Sequence, residues 1–231
     1  MGFLLTFALF HATATWWGST RGEAGAAVAG VVLISLLLVQ RGLLRESWAS
    51  ALAPLGRPSP RGLVTAAGVS AALLAVVPAY GLLRGMEPRI HEGSLALLPG
   101  LFCQAGVAEE ALFRGYAYHL LRRGRSFWHA AWRACVPFAA VHLFLFAVLP
   151  WPIALASLAL ALLVSFPLAH VFELCGRRIW GPALLHGVIQ AVPKLLSFDA
   201  DSSFPLMWMA AAGIVPYAVF FVARTPATGE A

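Results

Sequence analysis

Apolar residues run along this chain in eight blocks separated by short polar breaks, at about residues 2–18, 23–41, 61–83, 95–121, 129–149, 152–175, 179–195 and 205–223. A helix needs roughly 20 apolar residues to cross a bilayer. Most blocks reach that length, and the first and seventh are the shortest. Each is read as a membrane-spanning helix, so the expected fold is all-α, a polytopic transmembrane helical bundle of about eight spans. Proline marks the connections, with Pro54, Pro58 and Pro60 before the third block, Pro150 and Pro152 at a tight turn, and Pro205 before the last. Small residues recur within blocks, as in Ala26, Ala27, Ala29 and Gly30, and in Ala66, Ala67, Gly68 and Ala71. They let helix backbones approach closely in a membrane. There is no fixed-period repeat and no low-complexity linker, so residues 1–231 are expected to form a single integral membrane domain.

Composition supports this reading. Of 231 residues, 60% are hydrophobic and 11% charged, where a soluble domain carries roughly 25% charged residues. Mean hydropathy is +0.80. The N-terminal block ends in Ala12-Thr13-Ala14, which resembles a signal-peptide cleavage site. It lacks a basic leading region and is read as a retained first span. The net charge of +6 does not point to nucleic acid, because the basic residues sit in short loops and specify topology. With the N-terminus inside, eleven of the sixteen fall on the cytoplasmic side: Arg41, Arg45, Arg57, Arg61, Arg122, Arg123, Arg125, Arg133, Arg177, Arg178 and Arg224. Arg21, Arg84, Arg89 and Lys194 fall outside. This bias places both termini in the cytoplasm. An Ala-, Arg- and Pro-rich chain with no asparagine and one lysine suits a GC-rich bacterium, and hence its inner membrane.

Against this apolar background, Gly106-Val-Ala-Glu-Glu-Ala-Leu-Phe-Arg-Gly115 stands out. A charged side chain at a bilayer centre costs about 2.5–3.5 kcal/mol on insertion scales, and Glu109, Glu110 and Arg114 all lie inside the fourth block. Glu110 and Arg114 share a helical face at spacing four and can pair. Glu109 lies about 100° round the helix and is left available. Further polar groups follow on later blocks: His142 on the fifth, and His186 with Gln190, again four apart, on the seventh. At 1.5 Å per residue, Glu109 is about 18 Å from the cytoplasmic end of its helix, His142 about 14 Å and His186 about 10 Å. Three helices can therefore bring these groups to one interior site.

Two carboxylates, two imidazoles, an amide and a guanidinium suit water activation. A glutamate and a histidine can hold a water and take its proton. A second histidine and an amide can donate to the oxyanion of a tetrahedral intermediate, at about 2.7–4 kcal/mol per donor. Cys103, Cys135 and Cys175 are dispersed and read as small packing residues, neither disulfide framework nor zinc site. His170 and Glu173 read as a polar helix end beside Arg177 and Arg178. The tryptophans Trp16, Trp17, Trp128, Trp132, Trp151 and Trp180 lie near block ends, where an aromatic belt is expected.

The three polar stretches resemble the ordered signatures of the CPBP family, the CAAX prenyl proteases and bacteriocin-processing enzymes: Glu-Glu-x-x-x-Arg, Phe-x-x-x-His and His-x-x-x-Asn/Asp. Here they read Glu109-Glu110-Ala-Leu-Phe-Arg114, Phe138-Ala-Ala-Val-His142 and His186-Gly-Val-Ile-Gln190, within a core of about 95–195. The resemblance implies a glutamic-type intramembrane endopeptidase, with no cofactor or metal, acting on a membrane-anchored protein or peptide in the bilayer. Glu109 and His142 would activate water, Glu110 and Arg114 would hold the geometry, and His186 would help stabilise the oxyanion. Gln190 departs from the family's Asn or Asp. It keeps the amide and adds one methylene. Other readings stay open beside this one. They are a non-catalytic scaffold or immunity protein of the same fold, a metal-dependent hydrolase using Glu109, Glu110, His142 and His186, and a proton-coupled transporter.

Overall fold

The computed structural model describes residues 2–19, 22–198, 201 and 203–223, so Arg21 and Arg224 of the loop-charge pattern lie outside the described residues. The described chain is a helical bundle. Helix α1 is Gly2–Trp16, α2 Gly25–Gly42, α3 Trp48–Leu52, α4 Pro60–Leu74 and α5 Val76–Arg84. Helix α6 is Ser94–Arg122, α7 Phe127–Ala147, α8 Trp151–Leu174, α9 Trp180–Leu195 and α10 Phe204–Val222. Among the described residues, six helical segments are long and apolar enough to cross a membrane: α2, Trp48–Arg84, α6, α7, α8 and α10. The blocks expected to be shortest are α1, with 15 residues, and α9, with 16.

The third block is broken. Helix α4 stops at Leu74 and α5 starts at Val76. Pro78 lies four residues after Leu74 and has no N–H to give its carbonyl. Helix α6 also departs from regular winding. It is π-helical over Phe102–Ala108 and Ala111–Tyr118, with Glu109 and Glu110 in the α-helical step between. Such wide turns recur at functional sites. The small sheet is an addition that apolar blocks could not show: β1, Pro88–Ile90, pairs antiparallel with β2, Leu196–Phe198, with Pro88 opposite Phe198.

Helix α6 lies between α2 and α9, while α8 packs on α7 and α10. Glycine sets the first of these contacts. A Cβ on Gly100 would lie 1.9 Å from the Gly22 carbonyl oxygen, and one on Gly25 would lie 1.9 Å from the Gly100 oxygen. Both obstacles are backbone, so neither can swing away. Gly100→Ala is therefore expected to force α2 from α6 and lower stability by about 1–3 kcal/mol, as overpacking does. Thermal unfolding in detergent measures this, and an unchanged midpoint would contradict so tight a contact.

The two ends of the bundle differ. At one, Arg123 pairs with Glu46, the Ser59 N–H donates to the Cys175 carbonyl at 3.2 Å, and the Ile179 N–H donates to that of Pro54 at 3.0 Å. Loops expected on the cytoplasmic side thus meet at a common end. At the other, the β1–β2 ribbon adjoins a bond from the His91 N–H to the Leu195 carbonyl at 2.9 Å. Trp16, Trp17, Trp128, Trp132 and Trp151 are exposed, as a belt requires. Trp180 is different: half-buried, its indole N–H reaches the carbonyls of Leu55 at 3.0 Å and Gly56 at 3.1 Å, so it also clamps the loop before α4 onto α9. All three cysteines are free, Cys135 and Cys175 being buried.

Candidate active site

The pairing expected from spacing four is present. Arg114 Nη1 donates to Glu110 Oε1 at 2.9 Å, and both side chains are buried. An ionised Glu110 beside a guanidinium is an acceptor only. His186 Nδ1 lies 2.7 Å from the same Oε1, so Nδ1 carries the proton and donates. That contact crosses from α9 to α6 and fixes the imidazole's orientation. It leaves Nε2 facing Glu109, whose Oε2 is 3.8 Å away. His186 therefore stands between the two carboxylates.

The close approach that allows this is again made by small residues. A Cβ on Gly106 would lie 2.8 Å from the Ala183 carbonyl oxygen, and one on Gly187 would lie 3.2 Å from the Phe102 ring. Both glycines sit on the α6–α9 contact, one turn or less from the reactive groups in sequence.

His142 ends the regular part of α7. Its Nδ1 lies 2.7 Å from the Phe138 carbonyl oxygen. A carbonyl can only accept, so Nδ1 is again the protonated nitrogen and Nε2 is left with the lone pair when the ring is neutral. His142 is half-buried and within electrostatic reach of Glu109, His186 and Arg114.

Phe138 belongs to the second motif, and its part in the site is visible only in three dimensions. Arg114 Cζ lies 4.2 Å from the centroid of the Phe138 ring. The ring is edge-on to those of His142, at 5.1 Å, and His186, at 6.0 Å. Fully buried, Phe138 is the pivot on which residues from α6, α7 and α9 rest. The cation–π contact supplements the ion pair in holding Arg114.

Two polar atoms at the centre lack partners among the described residues: Glu110 Oε2 and Arg114 Nη2. Buried polar groups are nearly always satisfied, and exceptions concentrate at functional positions. Glu109 differs from Glu110 in access, with 19% of its side chain exposed against 0%. Gln190, one turn beyond His186 on α9, is half-buried, and its amide makes no hydrogen bond among the described residues. Lys194, one turn further, lies in the last turn of α9, half-buried and within electrostatic reach of Glu109. Its four-residue spacing from Gln190 was the available signal.

The pair His170 and Glu173 divides. His170 is buried, with Nε2 2.7 Å from the Ala223 carbonyl oxygen, and Glu173 pairs with Arg122 and Arg177 at the bundle end. Neither joins the site. Among the described residues, no group of three His, Cys, Asp or Glu side chains is arranged to hold a metal ion.

Comparison with known proteins gives a family match. Residues 91–192 match the family model described as type II CAAX prenyl endopeptidase Rce1-like. No curated protein and no solved structure gives a significant match. The match contains the whole constellation, from Glu109 to Gln190, and the six long apolar helices agree with an integral membrane protein. Over residues 91–192 the chain is therefore similar to the Rce1-like type II CAAX prenyl endopeptidases.

Proposed function

We propose that the chain is a glutamic-type intramembrane endopeptidase that cleaves a membrane-anchored protein or peptide near its C-terminal anchor. The observation that carries this reading is the division of labour between the two glutamates. Glu110 is fully buried and committed to Arg114 and His186, while Glu109 is partly open and faces His186 Nε2. One carboxylate organises the site and the other is available to react.

In this reading, a water bound by Glu109 and His142 Nε2 gives up its proton to the carboxylate as its oxygen attacks the scissile carbonyl. His186, as an imidazolium whose Nδ1–H is held by Glu110, donates Nε2–H to the oxyanion. The proton on Glu109 then passes to the departing amine, so the carboxylate is restored when the peptide bond breaks. Glu110 and Arg114 position His186, and Phe138 keeps the three helices in register. Localisation in a bacterial inner membrane with both termini cytoplasmic belongs to the same proposal and rests on the loop charges.

Gln190 is assigned as the second oxyanion donor. Gln190→Ala is expected to lower kcat by about 10²-fold, the typical loss for one such donor. Gln190→Asn, which restores the family residue, should retain activity. Purified variants and a fluorogenic membrane peptide measure both. Equal rates for Gln190→Ala and wild type would remove the residue from the mechanism. The metal-dependent alternative is tested alongside, since a tight chelator is expected to leave the wild-type rate unchanged.

The substrate is found by comparing the termini of membrane proteins in cells carrying wild type, Glu109→Gln or a deletion. A set of C-terminal or anchor fragments absent equally from the last two identifies both activity and substrate. If Glu109→Gln matches wild type while the deletion has a phenotype, the scaffold reading replaces catalysis.

A further inference from the structure

The basic end of the bundle contains a cavity of about 490 Å³ lined by Arg122, Arg123, Gly124, Arg125, Ser126 and Arg177. Its residues come from the end of α6, the turn into α7 and the loop after α8. None of them belongs to the peptidase site. Positive-inside topology explains why these loops are basic. It does not explain why four arginines should converge on one concavity.

The arginines are held there. Arg122 is buried; its Nε donates to Glu173 Oε1 at 3.0 Å and its Nη1 to the Arg125 carbonyl. Glu173 also accepts from the Tyr118 hydroxyl at 3.0 Å and lies 3.6 Å from Arg177 Nε. Arg123 pairs with Glu46, and Arg125 Nη1 donates to the Leu121 carbonyl at 3.1 Å. His119, half-buried nearby, feels Arg123, Arg177, Glu46 and Glu173. Four guanidiniums meet two carboxylates, so positive charge is left over. Arg177 adopts a left-handed backbone, φ 60°, a conformation that costs a non-glycine residue of order 1–3 kcal/mol.

Guanidiniums match phosphate oxygens in planar, two-point geometry. The level of the cavity identifies the source of the phosphate. Trp128, two residues beyond Ser126, is 56% exposed and stacks on Phe220 at 5.8 Å. Exposed tryptophans mark the headgroup level of a bilayer. At that depth, basic pockets between membrane helices take anionic headgroups. We infer that the cavity bounded by Arg122, Arg123, Arg125 and Arg177 is a binding site for the phosphate headgroup of an anionic phospholipid. The site fastens the last turn of α6, the helix that carries both glutamates, to the membrane surface.

The test uses the full-length protein in phosphatidylcholine nanodiscs with or without phosphatidylglycerol, and native mass spectrometry of lipids retained on release. Wild type is expected to retain one phosphatidylglycerol in preference to phosphatidylcholine. Arg125→Gln with Arg177→Gln should weaken that retention by about 30-fold, since each surface arginine contributes roughly a factor of five. Lysine at both positions should retain most of it, and covers the case in which the glutamines disturb the fold. Arg57→Gln with Arg61→Gln removes the same charge from exposed positions before and at the start of α4, and is expected to change nothing. Equal losses in the two glutamine pairs, or none in either, would overturn the site. So would inorganic phosphate raising the unfolding temperature in pure phosphatidylcholine as much as phosphatidylglycerol does, because the source would then be soluble.

Discussion

Glu109→Gln is expected to give a folded protein in which peptide cleavage has fallen by about 10²–10⁴-fold, the usual contribution of a general base. The substitution keeps the shape of the side chain and removes its capacity to take a proton. Its structural cost should be small. The nearest charged partner, His186 Nε2, is 3.8 Å away, and 19% of the side chain is already exposed. Surface-like changes of this kind stay within about 0.5 kcal/mol. The measurement is kcat on a membrane-embedded reporter peptide, paired with thermal unfolding of the same preparation. A large rate loss with an unmoved unfolding midpoint assigns the proton transfer to Glu109. A rate close to wild type would exclude Glu109 as the base and overturn the glutamic mechanism.

Arg114→Met should act through stability first. It leaves Glu110 buried with no cation beside it, and breaking a buried ion pair from one side costs about 3–5 kcal/mol. The loss extends beyond that bond, because Arg114 also lies over the Phe138 ring and Glu110 holds His186. Yield and unfolding temperature are expected to fall sharply, with activity lost. Adding Glu110→Gln removes the uncompensated charge and should recover most of the stability. Activity should stay absent, because the ionised acceptor for His186 Nδ1–H is gone. Recovery of both would show that the pair is structural only. Recovery of neither would mean that the Arg114–Phe138 contact, more than charge, holds the helices.

These two glutamates were distinguishable in the sequence, but only in part. Spacing alone put Glu110 and Arg114 on one face, and a charge buried in an apolar run has few options besides a partner one turn away. The pair forms at 2.9 Å. What Glu109 faces could not be read the same way. Its neighbour His186 is 77 positions on, and α6 is π-helical on both sides of the glutamates, so regular α-helical angles do not describe the whole face.

The division follows from the range of the forces involved. Bilayer insertion is decided segment by segment, by the apolar content of about 20 residues, and a capped or paired helix end is decided within a turn. The sequence by itself therefore determined the all-α membrane bundle, the basic loops, the Glu110–Arg114 pair and the order of the three motifs. Contacts between helices depend on how closely backbones approach and which way each face turns. Only the tertiary structure could decide that His186 bridges to both carboxylates, that Phe138 supports residues from three helices, and that Trp180 clamps the loop before α4. The same holds for the arginines. Their number was countable along the chain, but their convergence on one cavity required the ends of α6 and α8 to meet.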